Sequence, residues 1–125
     1  MIEIKTDLAA QLSQFTGTIS YYRLTSNIVL TDGTKYLADT AGAYWLMSAI
    51  ASYLPALTDQ EDFVLAKLQV TRSSNTTSGL LTLDDGNDHI LAKQFIEYTD
   101  FVLDKIKMYA CWTGDCWVIM LPSEY

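Results

Sequence analysis

The uncharged stretch "TAGAYWLMSAIASYLPALT", residues 40–58, decides the fold, because it reads either as a membrane span or as a helix sealed inside a core. A span needs about 20 mostly apolar residues. This run contains Gly42, Ser48, Ser52 and Thr58 and is interrupted by Pro55, so a buried helix is expected and no contact with a membrane. Asp39 or Thr40 can cap its start, and it should end near Tyr53, since the residue before a proline avoids the helical region. Being apolar on almost every side, it should be packed between other elements.

On its N-terminal side, Thr6 is a candidate cap for a short helix, "DLAAQLSQF", with Leu8, Leu12 and Phe15 along one face and Gly17 at its end. "TISYYRLTSNIVLTDGTKYL" is rich in β-branched and aromatic residues, and "TDGT" at residues 31–34 reads as the turn of a small hairpin. On its C-terminal side the period changes from about 3.6 to 2. "FVLAKLQVT", "GLLTL", "HILAKQFIEYT", "KIKMYACW" and "CWVIML" then read as five strands joined by short connections. The expected fold is α+β: an antiparallel meander sheet of about five strands packed on the long buried helix, plus the short N-terminal helix and the small hairpin. With no repeat or linker, residues 1–125 read as a single domain.

The last turn, "CWTGDCW" at residues 111–117, holds both cysteines. Ile106, Met108, Ala110 and Trp112 share a parity that pairing across the turn extends to Trp117, Ile119 and Leu121, which makes this the core face. Cys111 and Cys116 fall on the other face. If Thr113-Gly114 is the loop the cysteines lie opposite each other; if Gly114-Asp115 is the loop, with glycine first, Trp112 pairs with Trp117. The second uses the better turn chemistry. A redox pair would want Cys-x-x-Cys at a helix start, and a zinc site would want two further ligands where the chain has a single histidine. Structural cysteines are expected, with a labile disulfide as the alternative. No metal and no cofactor is expected.

In a five-strand meander the entry to the first strand and two of the turns fall at one end of the sheet. That end collects Asp59, Glu61, Asp62, Asp84, Asp85, Asp88 and Asp115, with His89 beside them. Acidic turns aid solubility and hydrogen-bond their own backbone. The same end is a candidate docking surface for a basic protein partner. A calcium site is a third reading, although "DDGND" lacks the ligand spacing of a helix-loop-helix site. The net charge of −7 and the scattered Lys and Arg speak against direct nucleic-acid contact.

His89 next to Asp88 does not make an acid-base pair, because neighbouring strand residues point to opposite faces. With no phosphate loop, nucleophile elbow or zinc-protease motif, no catalytic residue is assigned. Tyr21, Tyr22, Tyr36, Tyr44 and Trp45 cluster around hairpin and helix; core packing is the default, and a tyrosine-lined small-molecule pocket is the alternative function. Tyr109, Val118 and Met120, set among lysines on the second sheet face, are a candidate dimer face. The N-terminal helix is expected to cover part of it, which leaves the remainder for a homodimer.

"FTGT" at residues 15–18, "YY" at 21 and 22, "TDGTKYLADTAGAYWLM" at 31–47 and "AIASY" at 49–53 together resemble a family of small bacterial proteins of unknown function. The likeness is clear over roughly the first 55 residues and looser over the C-terminal strands. It implies a bacterial cytoplasmic protein and carries over no catalytic residue. Beginning with acids, the N-terminus "MIEIKTDLAAQL" does not read as a signal peptide, which also points to the cytoplasm. The leading function is a non-enzymatic interaction or accessory module.

Overall fold

A computed structural model describes residues 2–125, with side chains from Asp7 onward. The elements run α1 (Ile2–Leu12), β1 (Tyr22–Thr25), β2 (Ile28–Leu30), α2 (Asp32–Ala41), α3 (Tyr44–Leu57), β3 (Phe63–Arg72), β4 (Thr77–Asp84), β5 (Ile90–Ile96), β6 (Lys105–Trp112) and β7 (Trp117–Met120), then a 3-10 turn at Pro122–Glu124. The fold is mixed α+β. Its sheet has seven strands rather than five, in the order β1-β2-β7-β6-β3-β4-β5.

The five period-2 segments are all strands, but they do not form a meander. β6 returns beside β3 and not beside β5, so β6-β3-β4-β5 is a Greek key. The return is set by packing along the connection: Thr99, Phe101 and Leu103 are buried, and Arg72 donates to the carbonyls of Phe101 and Val102 and pairs with Asp104. The two added strands are β1 and β2, and β2 runs parallel to β7. The sheet is therefore mixed.

"TDGT" is the start of a helix, not a hairpin turn. Thr31 caps α2: its hydroxyl accepts the Thr34 N–H and the Thr34 hydroxyl accepts the Thr31 N–H, while Asp32 suits the positive end of the helix. The hairpin turn lies earlier, at Ser26-Asn27. Gly42, at φ 61, closes α2 in the left-handed conformation that glycine tolerates, and Ala43 donates to Ala38 O in the helix-ending pattern. Residues 40–58 are therefore the end of α2, a break and α3. Pro55 sits in the last turn of α3, beyond the expected end at Tyr53. Thr6 lies within α1 and so is not its cap; its side chain is outside the described residues.

α2 and α3 cover one face of the sheet through Leu37, Ala38, Leu46, Met47, Ile50 and Leu54, all fully buried. From the sheet they meet Val64, Ala66, Leu68, Leu81, Leu83, Met108, Ala110, Trp117 and Ile119, so the expected core parity is observed. α1 adds Leu8 and Leu12 to this same core and packs on α2, so it does not cover the second face of the sheet as expected. Among the described residues no helix is long and apolar enough to cross a membrane.

Glu124 locks the layers together. Its Oε1 accepts from the Thr31 hydroxyl at 2.6 Å and the Leu121 N–H at 2.9 Å, and its Oε2 accepts from the Gly33 N–H at 3.0 Å. A Cβ on Gly33 would lie 2.6 Å from both Glu124 Oε1 and Leu121 Cδ1. Glu124→Ala should therefore lower the unfolding free energy by about 1–2 kcal/mol in urea titrations. Gly33→Ala should destabilise as well, and the double variant should cost less than the two single losses added, because both act on one contact.

Candidate functional site

The face of the sheet away from the helices carries the candidate dimer residues. Residues paired across strands share a face, so the register places Val29, Val118, Cys111 and Phe63 in one row and Met120, Tyr109, Leu65 and Asp84 in the next. Lys107, Lys67, Thr82 and Lys93 follow, then Lys105, Gln69, Leu80 and Phe95. Over the apolar rows, the rings of Phe63, Tyr109 and Tyr125 meet with centroids 5.0–5.7 Å apart. Tyr125 is 73% exposed and Phe95 66%. The candidate dimer face Tyr109, Val118 and Met120 thus belongs to one surface, in which Val118 is itself buried by its neighbours.

The acidic residues lie at the Phe63 end of this face. β3 enters there beside the close of β6, and the β4–β5 and β6–β7 turns open at the same end, since moving β6 next to β3 leaves every strand direction unchanged. Asp59, Asp62, Asp88 and Asp115 are exposed, and Glu61 and Asp85 are half-buried. Asp84 does not join them: it is 1% exposed, its Oδ1 accepts the Gly86 N–H, and its Oδ2 lies 3.7 Å from Lys67 Nζ. Asp85 is largely occupied in shaping its turn. Its Oδ1 takes the N–H of Asn87 and of His89, and the Asn87 bond leads in holding its carboxyl below the usual range. His89 faces Asp85 at 3.7 Å, not Asp88.

Among the described residues the tyrosines are spread over separate contacts. Tyr22 and Tyr44 flank the Lys35 ammonium, 5.6 and 5.7 Å from their ring centroids, and Lys35 pairs with Asp39 at 2.6 Å. The hydrogen bond from Lys35 to Asp39 is the main reason the lysine pKa is raised and that of Asp39 lowered. Asp32 accepts the Ile19 N–H and the Tyr22 hydroxyl, and the Ile19 bond leads in lowering its carboxyl. Tyr36 instead packs on Phe15, Trp45 is half-buried against the core, and Tyr21 is exposed.

A different aromatic cleft, of about 330 Å³, is lined by Trp112, Trp117, Pro55 and Thr58 with the β1–β2 turn residues Ser26 and Asn27. The two indoles meet at 5.7 Å, and Trp117 Nε1 donates to Thr58 Oγ1 at 3.0 Å. Trp112 pairs with Trp117, so Gly114-Asp115 is the loop, with Gly114 at φ 102. Cys111 and Cys116 are free thiols. Among the described residues no three His, Cys, Asp or Glu side chains gather as a metal set.

These features define a mixed α+β fold with one face of its sheet sealed by helices and the other left open. The chain belongs to DUF6876, a family of unknown function, matched across residues 6–125. No curated protein and no solved structure matches it.

The electrostatics of the acidic end reach the open face at Cys111. Burial, and then the Asp62 carboxylate, push this thiol above its ordinary pKa. Its alkylation by iodoacetamide should therefore rise at higher pH than that of an unperturbed cysteine, because the thiolate is the nucleophile. Asp62→Asn should shift the profile part of the way back, as read by mass spectrometry of the labelled peptide.

Proposed function

We propose that this chain is a non-enzymatic protein-interaction module that docks its partner on the helix-free face of the sheet. The observation that carries the reading is the continuous apolar set of half-exposed Phe63, Leu65, Tyr109 and Met120 with exposed Tyr125, over which no α-helix lies among the described residues. A contiguous, partly exposed apolar patch is the usual mark of an interface, and aromatic residues dominate interface energetics. The exposed carboxylates of Asp59, Asp62, Asp88 and Asp115 at its end would steer and orient basic groups of the partner. The test is quantitative capture on the immobilised protein. Phe95→Glu with Tyr125→Glu, both on exposed rings, should weaken every saturable complex at least about tenfold. Ala9→Glu on the exposed side of α1 should leave it unchanged. Complexes equally strong with both variants would refute the reading.

A second reading moves the small-molecule alternative from the tyrosines to the cleft at Trp112. There an indole and the neutral side chains of Ser26 and Asn27 suit an uncharged planar ligand. A saturable change in tryptophan emission with such a ligand, lost in Trp112→Leu, is the expected signature.

A further inference from the structure

We infer that the occupant of the helix-free face is a second copy of this chain, packed sheet on sheet about a two-fold axis that lies in the interface and runs perpendicular to the strands. The inference rests on the reading of that face as a docking surface and identifies its partner.

Along the strands the lysines of this face stand toward one end, where the β5–β6 connection also carries the exposed Glu97, Asp100 and Asp104, whereas the turns at the other end carry carboxylates and no lysine or arginine. In the column of β6, Lys105 and Lys107 stand toward one end and Asp115 stands in the turn at the other. In the column of β3, Lys67 is followed toward the acidic end by Leu65 and Phe63, and Asp62 stands exposed just before the strand. In the column of β5, Lys93 has Asp85 and Asp88 in the turn below it. The apolar rows with the rings of Phe63, Tyr109 and Tyr125 lie between the two signs.

A two-fold axis perpendicular to the strands lays each strand over its own copy with its direction reversed. The lysines of every column then face the carboxylates of the same column, and the ring clusters meet near the axis. An axis along the strands would instead set carboxylate on carboxylate. Strands of facing sheets that run within about 30° of each other are the ordinary aligned packing. The five strands from β7 to β5 present a face of roughly 20 by 25 Å by strand spacing and rise. Once side-chain relief is added, this approaches the area of a standard interface, about 800 Å² per partner.

The lysine row supports the same occupant. Lys107 lies directly opposite Lys67, and like charges so placed repel. Lys67 has the Asp84 carboxylate, whereas among the described residues Lys93, Lys105 and Lys107 make no ion pair. Carboxylates brought from a second copy relieve that repulsion.

Sedimentation equilibrium over a wide concentration range tests this directly. The wild-type chain should be a monomer–dimer system. Lys107→Glu and Asp115→Lys, both exposed, should each weaken the dimer about tenfold or more. An equimolar mixture of the two single variants should restore it, because each mixed pair regains both contacts, and the double variant K107E/D115K should restore it within one chain. Circular dichroism confirms that each variant is folded. A wild-type monomer at every concentration, or single variants whose mixture stays as weak as each alone, would overturn the inference. The docking reading fails separately, if captured partners ignore Phe95→Glu with Tyr125→Glu.

Discussion

The joint between the end of β7 and the start of α2 fixes where everything else can go. Ile119 O accepts the Thr31 N–H at 3.3 Å and the Thr34 hydroxyl at 2.8 Å, and five residues later the Glu124 carboxylate fills the N-terminus of α2. Those contacts satisfy donors that a helix start leaves unpaired, and they place a negative charge where the helix dipole favours it. They also require β2 to run parallel to β7, because Thr31 must leave β2 at the level where β7 passes Ile119. With α2 anchored there, Gly42 turns the chain so that α3 follows across the same side. Both helices are committed to one face of the sheet, and on the other only the Tyr125 ring, brought by the 3-10 turn, lies over the apolar rows among the described residues.

What the sequence made legible is what local periodicity controls. The parity of Met108, Ala110, Trp117 and Ile119 identified the core face, and of the two registers left open for the last hairpin the structure has the one with the glycine-first turn at Gly114. "TDGT" misled because Asp-Gly is also a hairpin-turn signal, although Thr31 and Thr34 stand at the capping-box spacing; the reinforcing partner Glu124 is about ninety residues distant. β1 and β2 are short, and β1 is mostly exposed, which leaves little alternation to detect. The return of β6 to β3 depends on Thr99, Phe101 and Leu103 being buried in a segment that alternates like a strand but joins no ladder.

The candidate site was legible in the same uneven way. Strand direction alone gathers the acidic turns at one end, so that inference survives the change from meander to Greek key. Which carboxylates remain free is a matter of side-chain partners, and Asp84 is withdrawn by Lys67 and Gly86 although its neighbours in sequence are exposed. The membership of Phe63, Leu65, Lys67 and Lys93 in the open face follows from parity only once β3 is known to pair with both β6 and β4. Tyr125 could not be read at all, since its ring arrives there by the 3-10 turn that Glu124 pins.

A net charge of −7 sets the final constraint on the proposed pairing. Two such chains repel at long range, but the Debye length is about 10 Å at 0.1 M salt, so that term is largely screened at the separation of two molecular centres. Carboxylate–lysine contacts formed at the interface are much shorter than this length and are screened least. Net charge therefore weighs little against contact, whereas the arrangement of charge weighs heavily. An acidic chain that kept its lysines dispersed would have only apolar rows to associate through, with nothing to choose one orientation over the reverse. Lys93, Lys105 and Lys107 stand at one end, together with Glu97, Asp100 and Asp104, and only carboxylates stand at the other, so the antiparallel orientation brings lysines to carboxylates while the parallel one stacks the purely acidic ends on each other. Unlike charges supply the direction and the ring cluster supplies the area, a division of roles that an open sheet face can carry because its helices are all held on the other side.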